Sequence, residues 1–503
     1  MEGLQRQRKS EGRRWRRQQG FALFLALLSV VLLSILVAAL LILTKTEVWS
    51  TLNYRQTVQA RYAAEAGAQS AINYLVYTYT QPTAAQLANY DLTKSPVQDI
   101  ATHNPIALSG LSGIPANYPD ASAQTAFNTA FSNQSVPGIS NATYSAAAEL
   151  LEMRATTAFG GGNGYLMKWQ ITSQGNVGGV RNAQVQLVET IARTGTPVFK
   201  YGLVGLGTQC GDITFTGGTM DSWNSSTGTY AATQQNSGGD IATNGNVTLS
   251  GGSTRVYGTM YDSTNITVGN CPSGITNNVG GTPWNGLSQL SKSLTYPGVL
   301  PPSPMTPNTN QNANSNTCWG ASPAGCSVGA SAAACNGGTA PCVNIVPGSY
   351  GNITSNSRLH FTAGIYNINS LNLNGGALIL DSWPVTINLG GNGITSGGTL
   401  FASQSSTVIN TGAIPANLLI ESAAGSGLAN PPVITMNAAS ALYAAVYAPS
   451  AYVHITGSSQ FFGAVVSYKA TSDSSGGFHY DQGLKSLQML GPYLPVSFSW
   501  SRY

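Results

Sequence analysis

The fold is decided by the stretch Gly20-Phe-Ala-Leu-Phe-Leu-Ala-Leu-Leu-Ser-Val-Val-Leu-Leu-Ser-Ile-Leu-Val-Ala-Ala-Leu-Leu-Ile-Leu43. Between Phe21 and Leu43 there is no charged residue, and only Ser29 and Ser34 are polar. Roughly 20 helical residues cross the hydrocarbon core of a bilayer, so this run is long enough to span one. We therefore predict a transmembrane helix, with everything after Leu43 on one side of the membrane.

A basic leader precedes this run. Residues 1–20 hold seven basic side chains against two acidic ones, a local charge of 7 − 2 = +5, in a chain whose net charge is +4. By the positive-inside rule the leader stays in the cytoplasm and the body is exported. A nucleic-acid interpretation of the leader is disfavoured because the apolar run follows at once and explains its position. The basic residues are Arg6, Arg8, Lys9, Arg13, Arg14, Arg16 and Arg17.

The composition indicates an exported, β-rich body. Charged residues make up only 8% of the 503 residues, whereas a soluble domain usually has about a quarter, and 58 residues are Gly. Such a chain suits an extracytoplasmic structural protein better than a soluble enzyme.

The junction of leader and helix resembles the class III leader of type IV pilins and pseudopilins. In that family a prepilin peptidase cuts after the Gly, here Gly20, and methylates the new first residue, here Phe21. The alternative is an uncleaved signal anchor with an incidental Gly. No Pro occurs from Thr44 to Tyr79, so we predict one continuous helix over Phe21–Tyr79, about 90 Å long at about 1.5 Å per residue.

The segment Tyr62-Ala-Ala-Glu-Ala-Gly67 carries the closest resemblance, which covers about residues 18–78. It is similar to the stem of PilX-type minor pilins and K-type minor pseudopilins. Small side chains on one helix face let another rod or a sheet approach closely, so the resemblance implies packing with other pilin subunits through the stem. The stem-packing residues are Ala63, Ala64, Glu65, Ala66 and Gly67, with Ala71 on the same face.

One residue departs from the pattern of major pilins. These have a Glu at the fifth mature position, thought to pair with the N-terminal amine of a neighbouring subunit, whereas this chain has Leu25 there. K-type pseudopilins are similar in lacking this Glu and resemble tip subunits. The resemblance therefore implies a tip or priming subunit.

The remainder is predicted to be mainly β. Pro-rich residues 80–160 indicate loops around short helices, with Ser145–Thr156 as the best helical candidate. Alternation in Tyr165–Ile171 and Gln184–Ile191 predicts a β-hairpin. From Tyr201, short strands separated by Gly and Asn favour a right-handed β-helix, and Leu442–Ala448 echoes Phe461–Ser467 at an offset of 19. This cadence resembles β-solenoid domains found after PilX-type stems.

The predicted class is thus α+β: a long N-terminal transmembrane and stem helix, a small antiparallel sheet, and a β-helix. The domain prediction is 1–20 leader, 21–79 transmembrane and stem helix, 80–200 pilin-like helix and hairpin region, 201–270 first solenoid block, 271–348 Cys/Pro/Asn-rich insertion, and 349–503 second solenoid block.

Six cysteines on the exported side predict disulfides, because that compartment is oxidising. Six cysteines allow fifteen pairings, and the simplest joins Cys210 to Cys271, Cys318 to Cys326 and Cys335 to Cys342. No C-x-x-C spacing is present and no His is near in sequence, so we expect no metal site.

No catalytic residue and no cofactor are predicted. Acids are sparse in the solenoid blocks, and no hydrolase, zinc-protease or P-loop motif occurs. We expect His360 and His454 at the surface and His479, near Asp481, as a structural cap. Tyr, Trp, Asn and Thr on solenoid faces make a glycan or surface ligand a reasonable partner.

The sequence therefore favours a minor pilin or pseudopilin of a type IV pilus or type II secretion-like system. The bacterial inner membrane would hold its stem, and its body would be periplasmic, extracellular or on a cell-surface filament. The alternative is a membrane-anchored adhesin or polysaccharide-acting β-helix protein with an uncleaved anchor.

Overall fold

The computed structural model describes residues 3–502, except 160–162, 180–181, 264–274, 277–284, 314–341, 405, 426–427, 429, 438–440, 459 and 474. For residues 3–20 it describes the backbone alone. The chain divides into two compact units. The first comprises Met1–Arg154, Tyr165–Thr194 and Gly491–Tyr503, and the second comprises Ala155–Gly164 and Gly195–Leu490.

A single helix, α1 (Gly3–Tyr77), runs through the leader, the apolar stretch and the small-residue segment without interruption. Its apolar part is rich in Leu and Ala, which are good helix formers, and contains no Pro. The predicted continuity of membrane and stem helix is confirmed, with the end at Tyr77 instead of Tyr79.

The first unit also contains short helices and a six-stranded sheet in the order β3-β5-β31-β7-β6 with β4 beside β5. The helices are α2 (Ala84–Leu87) and α3 (Ala121–Phe131), and Asp120 caps α3 by accepting from Ser122 N and Ala123 N. The strands are β1 (Tyr90–Asp91), β2 (Gln98–Asp99), β3 (Ala107–Ser109), β4 (Gln134–Ser135), β5 (Ala142–Ala158), β6 (Asn163–Val177), β7 (Ala183–Pro197) and β31 (Leu487–Arg502).

The predicted hairpin is confirmed. Strands β6 and β7 pair antiparallel from Lys168↔Ala192 to Val177↔Ala183. Met167, Trp169 and Ile171 are buried in the core of the first unit, as the alternation predicts.

The helix predicted at Ser145–Thr156 is wrong, because these residues belong to strand β5. The Ala, Glu, Leu and Met residues there have good helix propensity, but Ala146, Ala148 and Leu150 are buried at a period of two. Pairing with β3 and β4 on one side of the sheet outweighs the local preference.

In the described residues the second unit consists mainly of strands, with one short α-helix, α4 (Tyr230–Thr233), and two 3-10 helices, Pro415–Asn417 and Gln482–Ser486. Its strands are β8 (Leu203–Gly205), β9 (Ile213–Thr216), β10 (Thr219–Trp223), β11 (Ile241–Thr243), β12 (Val247–Ser250), β13 (Arg255–Val256), β14 (Met260–Ser263), β15 (Ile275–Thr276), β16 (Leu287–Leu290), β17 (Asn310–Asn312), β18 (Cys342–Ile345), β19 (Gly348–Ser355), β20 (Arg358–Phe361), β21 (Gly364–Leu373), β22 (Ala377–Leu380), β23 (Val385–Leu389), β24 (Thr399–Ala402), β25 (Thr407–Asn410), β26 (Leu418–Ser422), β27 (Val433–Met436), β28 (Leu442–Ile455), β29 (Phe461–Ser472) and β30 (Phe478–Asp481).

The described strands of this unit pair in parallel and form ladders. One ladder runs β21-β23-β26-β28-β29-β8-β11-β14-β16. A second runs β17-β19-β21-β24-β27-β28-β29-β9-β12-β15. A third runs β18-β20-β22-β25, and a fourth runs β29-β30-β10-β13. The expectation of a mainly-β body with a small antiparallel sheet is therefore confirmed.

The internal echo corresponds to direct pairing. Leu442 pairs with Phe461 and Ala448 with Ser467, at the offset of 19 seen in the sequence. The ladder then continues from Val465 of β29 to Leu203 of β8, so strands from both predicted solenoid blocks belong to one set of ladders. Sequence order did not reveal this junction.

Candidate functional site

The apolar part of α1 is the first element of the site. Phe21–Tyr77 contains a membrane-length window of mean hydropathy 3.1, none of which is buried. Between Phe21 and Leu43 the only side-chain hydroxyls are those of Ser29 and Ser34. Both are hydrogen-bonded within the helix, since Ser29 donates to the Ala26 carbonyl at 2.8 Å and Ser34 to the Val30 carbonyl at 2.7 Å. This surface needs an apolar environment, either lipid or other helices.

The predicted processing residues lie at the start of this surface. Gly20 is inside the continuous helix, and Phe21 is 64% exposed. Leu25 is 48% exposed and lies among other exposed apolar side chains. The first charged side chain after the leader is Lys45.

Further along, α1 presents its small residues to the antiparallel sheet. Ala63 and Ala64 are fully buried and Gly67 is buried, while Ala66 and Glu65 are only partly so. Neighbouring turns extend the buried face, which comprises Ala60, Ala63, Ala64, Gly67, Ala68, Ala71 and Leu75. The residues predicted to permit a close approach thus lie against a sheet of the same chain.

Two glycines set the distance between helix and sheet. A Cβ added at Gly67 would lie within 3.0 Å of Ser173 Oγ and of the Tyr144 ring. One added at Gly175 of β6 would lie within 3.0 Å of the Ala60 carbonyl oxygen and the Ala64 amide nitrogen. Sequence reasoning missed Gly175, although a Gly inside an alternating strand is a known signal of close backbone approach.

Glu65 has a local partner. Its Oε1 lies 3.2 Å from Arg61 Nε, and the side chains are 39% and 53% exposed. The Arg61 guanidinium also lies 3.6 Å from the centre of the Trp500 ring, on strand β31. An exposed i,i+4 pair of this kind contributes about 0.3–0.5 kcal/mol, so Glu65 is a minor contributor to the packing.

Aromatic side chains close the core of the first unit around the end of α1. The Tyr74 ring meets Phe127 and Phe131 edge-on at 5.3 and 5.6 Å. Tyr118 donates its hydroxyl hydrogen to the Tyr79 hydroxyl at 3.0 Å, and burial, together with Tyr118, raises the Tyr79 pKa far above its ordinary value. Tyr79 also packs against Trp169 at 5.4 Å.

The histidines of the second unit are paired with carboxylates. His479 Nδ1 lies 2.6 Å from Asp221 Oδ1, both side chains being buried, and His360 Nδ1 lies 2.9 Å from Asp381 Oδ1. The prediction that His360 lies at the surface is wrong, since it is 2% exposed. The buried ring is hydrogen-bonded to Asp381, which follows the neighbouring strand β22.

Two of these histidines have a buried second ring nitrogen. Nε2 of His360 and of His479 has no hydrogen-bond partner in the described part of the chain. Asp481 accepts hydrogen bonds from Ser225 N and Gly483 N at 2.9 Å and is the N-cap of the 3-10 helix Gln482–Ser486. His479 lies in β30, which pairs with β29 on one side and β10 on the other. The described residues contain no group of three or more His, Cys, Asp or Glu side chains that could hold a metal ion.

Two further predictions fall partly outside the described residues. Cys210 is disulfide-bonded. Four of the other cysteines lie outside the described residues: Cys271, Cys318, Cys326 and Cys335. For Cys342, in β18, the structure describes the backbone alone. The pairing scheme stays a prediction, as do the boundaries of the six predicted domains.

One buried carboxyl group is strongly perturbed. Burial raises the pKa of Glu421 to about 7, from 4.5. Glu421 lies in β26, in register with Asn388 and Tyr447 of the adjacent strands, and is 8% exposed. Its titration therefore affects the stability of the parallel ladders near neutral pH.

Comparison with known proteins gives two findings. Residues 369–487 match the family model of a domain of unknown function, DUF7305. Among solved structures the chain is similar to the competence-associated pilin ComZ from Thermus thermophilus, with 12% identity, covering 89% of this chain and 98% of that chain. The TM-score of 0.24 is too low to establish a shared fold. No curated protein matches the chain.

Proposed function

We propose that this chain is a minor pilin or pseudopilin that assembles with other pilin subunits through α1. The observation that carries the proposal is the division of one uninterrupted helix into two surfaces. Its first part is apolar and exposed, and its second part packs small residues onto an antiparallel sheet. A subunit that leaves the membrane to join a filament needs both: a surface that exchanges lipid for other helices, and a rigid attachment to its globular part.

The finer assignment is a tip or priming subunit. Leu25 supports it, because the apolar side chain cannot form the charge pair that a Glu at this position would offer to another subunit's amine. An apolar residue there also avoids the cost of placing a carboxylate in the membrane, about 3 kcal/mol on insertion scales. In this arrangement the helix binds subunits on one side only.

The parallel unit is proposed to be a right-handed β-helix presented outward. The parallel pairing in four ladders, with an offset of 19 between β28 and β29, supports repeating coils. Its role is to present a surface rather than to catalyse a reaction, in line with the buried second nitrogens of His360 and His479. Turnover of any polysaccharide by the purified chain would refute the non-enzymatic role.

The decisive experiment is N-terminal analysis of the membrane protein from cells with and without prepilin peptidase. We expect a methylated N-terminus at Phe21 in the first and Met1 in the second. A start at Met1 in both would leave the second candidate, a membrane-anchored adhesin. That candidate is favoured by one observation, the unbroken helix through Gly20, which is also the form of an uncleaved anchor.

A further inference from the structure

One face of the second ladder carries an aligned row of polar side chains on successive strands. The register pairs Thr435 with His454, His454 with Thr471, Thr471 with Thr214, and Thr214 with Thr248. All five side chains are partly exposed. We call this set the threonine row. Four of its five members carry a hydroxyl on a β-branched side chain, which suits a strand whose outer face is solvated.

The row is the outer face of a well-packed sheet. Along each strand the flanking residues point the other way and are buried in the core, among them Ile213, Phe215, Val453 and Ala470. Adjacent strands of a sheet lie about 4.7–4.9 Å apart, so the row repeats its side chains at that spacing. The inward packing fixes the strands and therefore the positions of the outer hydroxyls.

A second set of polar residues lies two positions after Thr214, Thr248 and Thr471. It consists of Thr216, Ser250 and Asp473. Thr216 Oγ1 and Ser250 Oγ are 2.7 Å apart, and His454 Nε2 lies 2.9 Å from Asp473 Oδ2. Beside them the Tyr452 and His454 rings are stacked, with nearly parallel planes at an angle of 11° and ring centres 5.9 Å apart. The surface therefore combines repeated hydroxyls with partly exposed flat rings.

The charges on this surface nearly cancel. Lys469 lies 5.4 Å from the centre of the Tyr452 ring, and its positive charge acts on Asp212. Asp473 is paired with His454. A strongly charged polymer would find no field of one sign here. A second protein copy would find few of the apolar side chains that form the centre of a stable interface.

We propose that the threonine row binds an extended, uncharged polysaccharide whose chain lies along the row. A Thr hydroxyl both donates and accepts, as sugar hydroxyls do, so the four strands that carry Thr can each offer a sugar unit the same kind of group. The Thr214 hydroxyl also donates to the Gly211 carbonyl at 3.4 Å, and His454 in the middle of the row is paired with Asp473. The Tyr452 ring offers an apolar face to a sugar ring. The inference concerns the second unit alone and holds whether or not α1 enters a filament.

The test uses the full-length chain in detergent, bound to microcrystalline cellulose and to chitin, with alginate beads as the acidic polymer. The double variant T214V/T471V removes two hydroxyls and keeps the β-branched shape. Its matched control, T407V/T411V, removes one hydroxyl in β25, which is paired in the third ladder, and one from the residue that follows this strand. Near-UV circular dichroism verifies that both variants fold.

The expected result is binding of the wild-type chain to cellulose or chitin, at least a fivefold weaker affinity for T214V/T471V, and an unchanged affinity for T407V/T411V. The single change Tyr452→Leu should also weaken binding. Three results would overturn the proposal: no binding to either neutral polymer, equal binding by both double variants, or a preference for alginate. A dimer abolished by T214V/T471V without any glycan binding would instead make this face a contact between copies.

Discussion

Replacing Gly175 with alanine should loosen the first unit, because the new Cβ would meet the backbone of α1 at Ala60 and Ala64 within 3.0 Å. A helix backbone cannot turn aside as a side chain can. Overpacking costs about 1–3 kcal/mol, and we take the upper end here. The lost freedom of the unfolded chain offsets about 0.5–1 kcal/mol. The expected net loss of stability is therefore about 2 kcal/mol.

Hydrogen–deuterium exchange of peptides from β6 and β7 measures this loss locally, which matters in a chain of two units. Since about 1.4 kcal/mol corresponds to a tenfold change in an equilibrium constant, exchange should accelerate roughly thirtyfold. Gly67→Ala should have a smaller effect, because its neighbours are the side chains of Ser173 and Tyr144 and because alanine favours the helix by about 1 kcal/mol.

Gly178→Ala is the matched control at the end of the same strand, where the nearest atoms to an added Cβ are 3.9 Å away. It should exchange like the wild type. Equal exchange in the Gly175→Ala and Gly178→Ala variants would refute the reasoning that helix and sheet are held apart by this one missing side chain.

Three further predictions concern other parts of the chain. Leu25→Glu should move immunogold label from filament ends to positions along the shaft; an unchanged distribution would contradict the tip assignment. Burial raises the Glu421 pKa from 4.5 to about 7, so the folded state holds that proton more tightly than the unfolded state does. The free energy of unfolding should therefore fall by about 3 kcal/mol as the pH rises from 4.5 to about 7. Glu421→Gln should remove this fall in urea unfolding, and parallel pH profiles of the two proteins would contradict it. Non-reduced digests should contain Cys210–Cys271, Cys318–Cys326 and Cys335–Cys342; a free thiol at any of them would count against that scheme.

Features fixed by local periodicity were predictable from the sequence. The apolar run and the absence of Pro predicted α1, and the alternation of Met167, Trp169 and Ile171 predicted the buried face of the hairpin. The offset of 19 between two similar segments predicted a pairing that the register confirms. In each case the signal lies within about one element or one repeat.

Features that depend on residues far apart in sequence were not predictable. His479 is paired with Asp221 and not with the nearby Asp481, and Val465 is paired with Leu203. Strand β31, at the end of the chain, inserts between β5 and β7 of the first sheet. At Ser145–Thr156 the local propensity favours a helix, but the residues form a strand. The strands β3 and β4 that pair with it come from other segments of the sequence, so a local pattern could not reveal the pairing.

The way the chain enters and leaves the parallel ladders has a consequence for how such a unit can change size in evolution. It enters at β8 and leaves after β30, and both strands pair with β29, so arrival and departure occupy the interior of the ladders. In the described residues the strands farthest from β29 are β13, β15 and β16 in one direction and β17 and β18 in the other, and all of them except β13 come from residues 275–345. Duplication or loss of whole repeats in that segment would lengthen or shorten the unit without disturbing either connection. Homologues should therefore vary most in length there, while the strands around β29 keep their spacing.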